Sequence, residues 1–396
     1  MQTRGPFAKG LLIALAIVLI PVTAVSAQKI TPGSSCKVFK QKVVYQNKAY
    51  TCIKSGTKLV WNKGEIVVVS TPTPSPGNSS VEQLAPTSFS NLYERRKAIA
   101  YTAWKLTSDA ISQGKSSLKT PEIIIGPNTK PSQTPALQIF ELVSKAFSMY
   151  KTPDIFYEIQ YSFEDISWAE EKLKSLIGSY NYDAINANEN GHLVDGNCML
   201  HDILFPQNID CGGAKQITTV NGIAVILLSI PKVLNFGDPM TQARSVIGQG
   251  EAHEFFHSLQ RMVIGNNGWT NGAYPPPWVI EGGAEVTGNL VMSRNSFSEY
   301  LKWRRIDTSS VSGKQISYLQ NYLDAPTYNY DGAYSYGSLV METLVALKGP
   351  GVLLELCKQT DEKGFEPAFF SIFGTTWKDA KPIIAKIIYE NFRSDN

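Results

Sequence analysis

His253-Glu254-Phe255-Phe256-His257 sets two imidazoles four residues apart with a carboxylate beside the first. On a helix, residues i and i+4 share one face with Cβ atoms about 5–6 Å apart, so both rings can converge on one zinc ion. Glu254 points beside such an ion rather than at it, which suits a general base acting on a water held there. A catalytic zinc takes three protein ligands and leaves a fourth position for water. Glu281, in Pro277-Trp278-Val279-Ile280-Glu281-Gly282-Gly283-Ala284-Glu285, is read as the third ligand. Glu285 lies four residues further on and faces the same way. It is read as the carboxylate that accepts the outer N–H of a ligand histidine, His253. With 4 His in 396 residues, this pairing is not a by-product of a histidine-rich composition.

Two helices must hold these groups. The first is expected over 239–263, with Asp238 as N-cap and Pro239 at the first helical position. Val246, Ile247, Ala252, Phe255, Phe256, Leu259, Met262 and Val263 recur at helical spacing, and Gly265-Asn266-Asn267-Gly268 stops the helix. Gly248 and Gly250 within this pattern imply close approach of another backbone. The second helix is expected over 277–292, opened by Pro277, with Gly282, Gly283 and Ala284 letting it press against its neighbour.

With these motifs in view, the chain resembles the gluzincin metallopeptidases, in which His-Glu-x-x-His is completed by a Glu from a following helix. The Trp278-x-x-Glu281-Gly282-x-Ala284-Glu285 pattern is most similar to the aminopeptidase-like branch, and the resemblance covers roughly residues 215–345. It implies a thermolysin-like zincin domain of α+β class, with a helical C-terminal part, one catalytic zinc and a peptide or protein substrate. It also implies a tyrosine that donates to the developing oxyanion. Tyr334 in Ala333-Tyr334-Ser335-Tyr336-Gly337 takes that position, with Tyr336 and Tyr330 as alternatives. The branch's Gly-x-Met-Glu-Asn segment, which holds a substrate's free amine, has no counterpart. Val220-Asn221-Gly222-Ile223-Ala224-Val225-Ile226 stands there instead, which favours an endopeptidase over an aminopeptidase. By the family's architecture, the strand at 222–228 would be an edge that pairs with extended substrate.

The remaining sequence sets the context. Residues 1–27 read as a secretory signal: Arg4 and Lys9, an apolar run from Leu11 to Val22, and Val25-Ser26-Ala27 as the cleavage site. Export permits disulfides. Cys36 and Cys52 share one short segment while Cys198 and Cys211 flank one loop, so two bridges follow naturally among three possible pairings. Cys357, in an apolar helical run, reads as a buried thiol. A Cys/His metal site from His192, Cys198, His201 and Cys211 fits no standard zinc spacing, so these histidines read as loop residues.

The net charge of +3 is unevenly placed. Residues 28–65 carry eight Lys against Glu65, whereas 66–396 carry 27 basic and 33 acidic groups. The basic stretch, 28–67, reads as a small β module stapled by Cys36–Cys52, similar to a module at the N-termini of exported actinobacterial proteins, and its Lys-rich face could hold an anionic envelope polymer. A Pro/Ser linker over 68–89 separates it from a catalytic unit over 90–396. Within that unit, 91–113 and 135–150 look helical, 155–163 and 216–230 look like strands, and 160–212 includes loops. The C-terminal part is expected to be helical over 296–306, 314–323, 333–347, 350–360, 365–373 and 376–392. No repeat, nucleic-acid motif or second membrane-crossing segment is present.

The expected activity is therefore that of a secreted zinc metallopeptidase. A catalytically silent zincin-fold binding protein, or a zinc hydrolase of a non-peptide envelope component, stands as the alternative.

Overall fold

The computed structural model describes residues 31–40, 42–45, 48–66, 84–199, 211–219, 221–231, 247–264, 274–323 and 332–394. The expected signal segment, most of the linker, Asp238-Pro239 and the Gly265–Gly268 stop lie outside the described residues. Two compact units divide between Ser75 and Pro76.

The first unit is a small antiparallel sheet. β1 (Lys42–Tyr45) and β3 (Lys58–Trp61) both pair with β2 (Lys48–Ser55), and β4 (Glu65–Ile66) returns to the start of β2. Strand alternation turns Tyr50 and Cys52 to one face, opposite Trp61, and these three are its buried core. So few buried side chains need a covalent staple, which the Cys36–Cys52 disulfide supplies.

The second unit is mixed α+β. A four-stranded sheet has the order β5 (Glu122–Ile125), β6 (Ile155–Tyr161), β8 (Ile223–Ser229) and β7 (Gly213–Thr218). The first three strands are parallel and β7 runs antiparallel to β8. The single strand expected over 216–230 is thus a hairpin turning at Gly222. Its β8 arm is central, because its apolar residues are buried on both faces. The expected edge strand at 222–228 is therefore overturned, and β7 takes the edge position.

Each face of the sheet packs on helices. Ile159, Tyr161, Val225 and Leu227 face α4 (Ile166–Ile177), α5 (Ser179–Asn188) and the Cys198–Cys211 disulfide. These helices occupy a stretch whose loops alone were anticipated. Phe156, Ala224 and Ile226 join the larger core with α2 (Ile99–Gln113), α3 (Ala136–Ala146), α7 (Gln249–Val263) and α8 (Pro277–Met292). The smaller helices between these are α1 (Phe89–Leu92) and α6 (Gly196–Met199).

The helical C-terminal part follows as α9 (Phe297–Asp307), α10 (Ile316–Tyr322), a π-helical turn (Gly332–Tyr336), α11 (Gly337–Lys348), α12 (Val352–Lys363), α13 (Phe365–Phe373) and α14 (Trp377–Ser394). α14 docks through stacked Trp278 and Trp377 rings, 4.9 Å apart, with Phe365 and Phe369 packed around them. Among the described residues no helix is long and apolar enough to cross a membrane.

Candidate metal centre

α7 starts at Gln249 rather than running unbroken from residue 239, because Gly248 at φ 85° interrupts the helix. Its inward face is anchored by phenylalanines. Phe255 lies 4.9 Å from Phe156 and 5.3 Å from Phe140, and Phe256 lies 4.9 Å from Phe147. Both flanking rings are fully buried, which fixes the rotation of the helix and turns His253 and His257 together toward α8.

α8 begins at Pro277, as its sequence requires, and is buried along most of its length. It crosses α11 backbone to backbone at Gly282 and Gly337. A Cβ on Gly282 would lie 2.6 Å from the Gly337 carbonyl oxygen and 2.7 Å from its Cα. This crossing sets Glu281 and the π turn ahead of Gly337 on the same side. The π turn is tied down by the Ser335 hydroxyl, which donates to the Asp307 carbonyl at 2.6 Å. Arg304 makes a bidentate pair with buried Glu342 at 2.7 and 2.8 Å, joining α9 to α11.

At the crossing, three ligand-type atoms converge. His253 Nε2 and His257 Nε2 are 3.0 Å apart, and Glu281 Oε2 is 3.4 Å from the first and 3.3 Å from the second. Atoms bound about 2.0–2.2 Å from a tetrahedral zinc lie about 3.3 Å from one another, so the set fits that ion. Glu281 Oε2 has no hydrogen-bond donor although it is buried. The chemistry of the set agrees, since Glu254, Glu281 and Glu285 give it an excess of negative charge. No other His/Cys/Asp/Glu group of this kind occurs among the described residues.

The outer nitrogens are held as well. His253 Nδ1 lies 2.8 Å from Glu285 Oε2, the pairing anticipated from the sequence. His257 Nδ1 lies 2.7 Å from Gln260 Oε1, and the Gln260 amide donates to the Ile280 carbonyl at 2.9 Å. Gln260 was missed by sequence reading; its only signal is its place three residues after His257, on the same helical face.

The charges couple strongly. Burial opposes protonation of His253, but the neighbouring carboxylates of Glu281 and Glu285 outweigh that and take its pKa up to about 10. His257 is raised in the same way, burial being outweighed by Glu281. Burial would raise Glu281, yet the two imidazoles hold it well below the usual carboxylate range. The carboxylates thus favour positive charge at this cluster, and the imidazoles favour the ionised form of Glu281.

Glu254 is half-buried on the same helix, one residue after His253. The half-buried Tyr334 ring lies parallel to the His253 ring at 5.6 Å, whereas Tyr336 is fully buried against Tyr322. Of the two candidate tyrosines among the described residues, Tyr334 is the one beside the His253 cluster; Tyr330 lies outside them. Both thiols of the alternative Cys/His metal site are consumed in the Cys198–Cys211 disulfide, so that alternative falls. His192 instead sits exposed against Asp195 at 3.2 Å, and His201 is outside the described residues. Cys357 is buried, as expected, and burial pushes its thiol up to about 12.

Beneath the start of α7 is a second acidic pair that the sequence did not suggest. Glu158 on β6 accepts from Gln160 at 2.6 Å, and Glu251 accepts from the Thr134 hydroxyl. Burial, with the charge of Glu251 added, pushes Glu158 up to about 8.

A hollow of about 550 Å³ in the first unit is lined by Pro32, Ile53, Trp61 and Lys63 among others. None of the residues that line it is an acid, an imidazole or a thiol. Compared with known proteins, the chain matches no family model, no curated protein and no solved structure.

Proposed function

We propose that the chain is an exported zinc metallopeptidase of gluzincin type, acting as an endopeptidase. The observation that carries this reading is the convergence of His253 Nε2, His257 Nε2 and Glu281 Oε2 within 3.0–3.4 Å, with Glu254 next to His253 on the same helix. His253, His257 and Glu281 would hold the ion, which when bound supplies Lewis-acid polarisation of a scissile carbonyl and acidifies a water. Glu254 takes the proton from the attacking water and passes it to the leaving amine. The Tyr334 phenol donates to the oxyanion that develops on the former carbonyl. Glu285 keeps the His253 proton on Nδ1 and so keeps Nε2 free as a ligand. An extended substrate has β7, the edge strand, to pair with.

Two disulfides support an extracytoplasmic setting, in keeping with the signal-like residues 1–27. In the same reading the first unit, with Lys37, Lys40, Lys54, Lys58 and Lys63 exposed, holds the enzyme to an anionic envelope polymer.

The test is cleavage of casein and mixed peptides by the full chain, its Glu254→Gln variant and chelator-treated protein, with zinc content measured alongside. Cleavage lost in the variant while zinc stays bound supports the peptidase and the base together. Stoichiometric zinc without cleavage transfers the case to a non-peptide substrate or a binding role. Absence of zinc from the wild type overturns the reading.

A further inference from the structure

Gln260 is 2 % exposed, in the last turn of α7. A carboxamide has one acceptor end and one donor end, and here its surroundings decide which is which. The Ile280 carbonyl can only accept, so the amide end that meets it at 2.9 Å is the NH₂ group. The opposite end, 2.7 Å from His257 Nδ1, is then the oxygen. His257 must carry its proton on Nδ1, which leaves Nε2 as a lone pair aimed at Glu281 Oε2 and His253 Nε2. One side chain thus settles both the tautomer and the ring angle of this histidine.

The same amide grips the other ligand-bearing helix. Ile280 directly precedes Glu281, so the bond to its carbonyl fixes the α8 backbone at the point from which that carboxylate projects. Room for the contact comes from Gly283. A Cβ there would lie 3.2 Å from Gln260 Nε2 and 3.3 Å from the Phe256 ring, tight enough to displace the amide. The two imidazoles are therefore supported unequally: His253 by a carboxylate, His257 by a neutral group that also spans to α8.

We propose, on the strength of the metallopeptidase reading, that Gln260 is a positioning residue that holds two of the three ligands, His257 and Glu281, in mutual register through one carboxamide. It touches neither substrate nor ion. Because it acts on both sides of the site, supplying an acceptor to His257 alone does not replace it.

The experiment measures zinc affinity of the metal-stripped full chain by competition with a chromophoric chelator, and thermal unfolding of the same metal-free samples. Gln260→Met keeps the length and volume of the side chain and removes both hydrogen bonds. It is expected to weaken zinc binding about 10–100-fold while the metal-free melting temperature stays within a few degrees. Gln260→Glu keeps an oxygen against His257 but sets a second acceptor against the Ile280 carbonyl. It is expected to weaken binding too, despite the added negative charge, and it decides the matter should the Met variant fold poorly. Unchanged affinity in Gln260→Met, or affinity equal to or above wild type in Gln260→Glu, overturns the bridging role while the metal centre stands. A wild type that takes up no zinc overturns the metallopeptidase reading itself, which separates the two failures.

Discussion

Gly282→Ala tests whether the helix crossing positions the site or merely packs. The new Cβ would stand 2.6 Å from the Gly337 carbonyl oxygen and 2.7 Å from its Cα, where ordinary contact begins at 3.4 Å. Both neighbours are backbone, so no side chain can rotate away and α8 must move from α11 by about 1 Å. Overpacking of this kind costs about 1–3 kcal/mol, against about 1 kcal/mol gained by replacing a helical glycine with alanine. Taking the upper part of that range, a net loss of about 2 kcal/mol remains. Over the roughly 320 residues of the second unit, with an unfolding entropy near 2.1 cal/mol/K per residue, that lowers Tm by only about 3 °C. The effect on turnover is far larger. Glu281 precedes the substituted residue and Tyr334 lies in the turn ahead of Gly337, so about 1 Å between the helices is about 1 Å between the proposed ligand and the proposed oxyanion donor. A displacement of that size costs about 100-fold in rate. Peptide cleavage, zinc content and thermal unfolding are compared with Gly351→Ala, whose Cβ would meet only the Tyr150 ring at 3.8 Å. The reasoning fails if Gly282→Ala retains wild-type turnover, or if Gly351→Ala loses as much.

Three further outcomes are expected. Tyr334→Phe should lower kcat about 100–1000-fold with zinc content unchanged, and a loss under about fivefold would remove Tyr334 from the oxyanion role. Glu158 is held neutral in the folded chain up to about pH 8, so the stability it contributes is complete below its unfolded pKa near 4.5 and is lost as pH rises through 8. Glu158→Gln should therefore melt above wild type at pH 9 and close to it at pH 5, and a variant less stable at pH 9 would contradict the assignment. Replacing Cys198 and Cys211 together by Ala releases a loop with a sequence separation of 13, which should cost about 3 kcal/mol. A Tm drop of about 4–5 °C in thermal unfolding checks that figure.

What could be foreseen from sequence was local. Pro277 opens α8 where its fixed φ suits a first helical turn, and Glu281 and Glu285 emerge on one face because i and i+4 always do. His253 meets Glu285 for the same periodic reason, once the two helices are known to touch. The expected ends of the C-terminal helices fall within a few residues of those observed, since Gly349, Gly364 and Gly374 punctuate them. Sheet order was not local and was misjudged. Ile223–Ser229 reads equally as an edge or a centre until its neighbours are placed, and β5, only four residues long, carries no pattern at all. Gln260 escaped because its role depends on a carbonyl twenty residues away, and Glu158 because its partner lies on a helix beyond the sheet. Gly248 was read as a close approach, yet its left-handed φ also sets where α7 begins.

The stack of Trp278 on Trp377 has a consequence for timing. A ribosome adds about 5–20 residues per second, so roughly 100 residues separate the two rings by about 5–20 s of synthesis. Throughout that interval the Trp278 indole, on the helix bearing Glu281, lacks the ring it stacks on in the folded chain. The candidate metal centre thus completes its packing support only with a stretch of chain that supplies none of the clustered residues His253, His257 and Glu281.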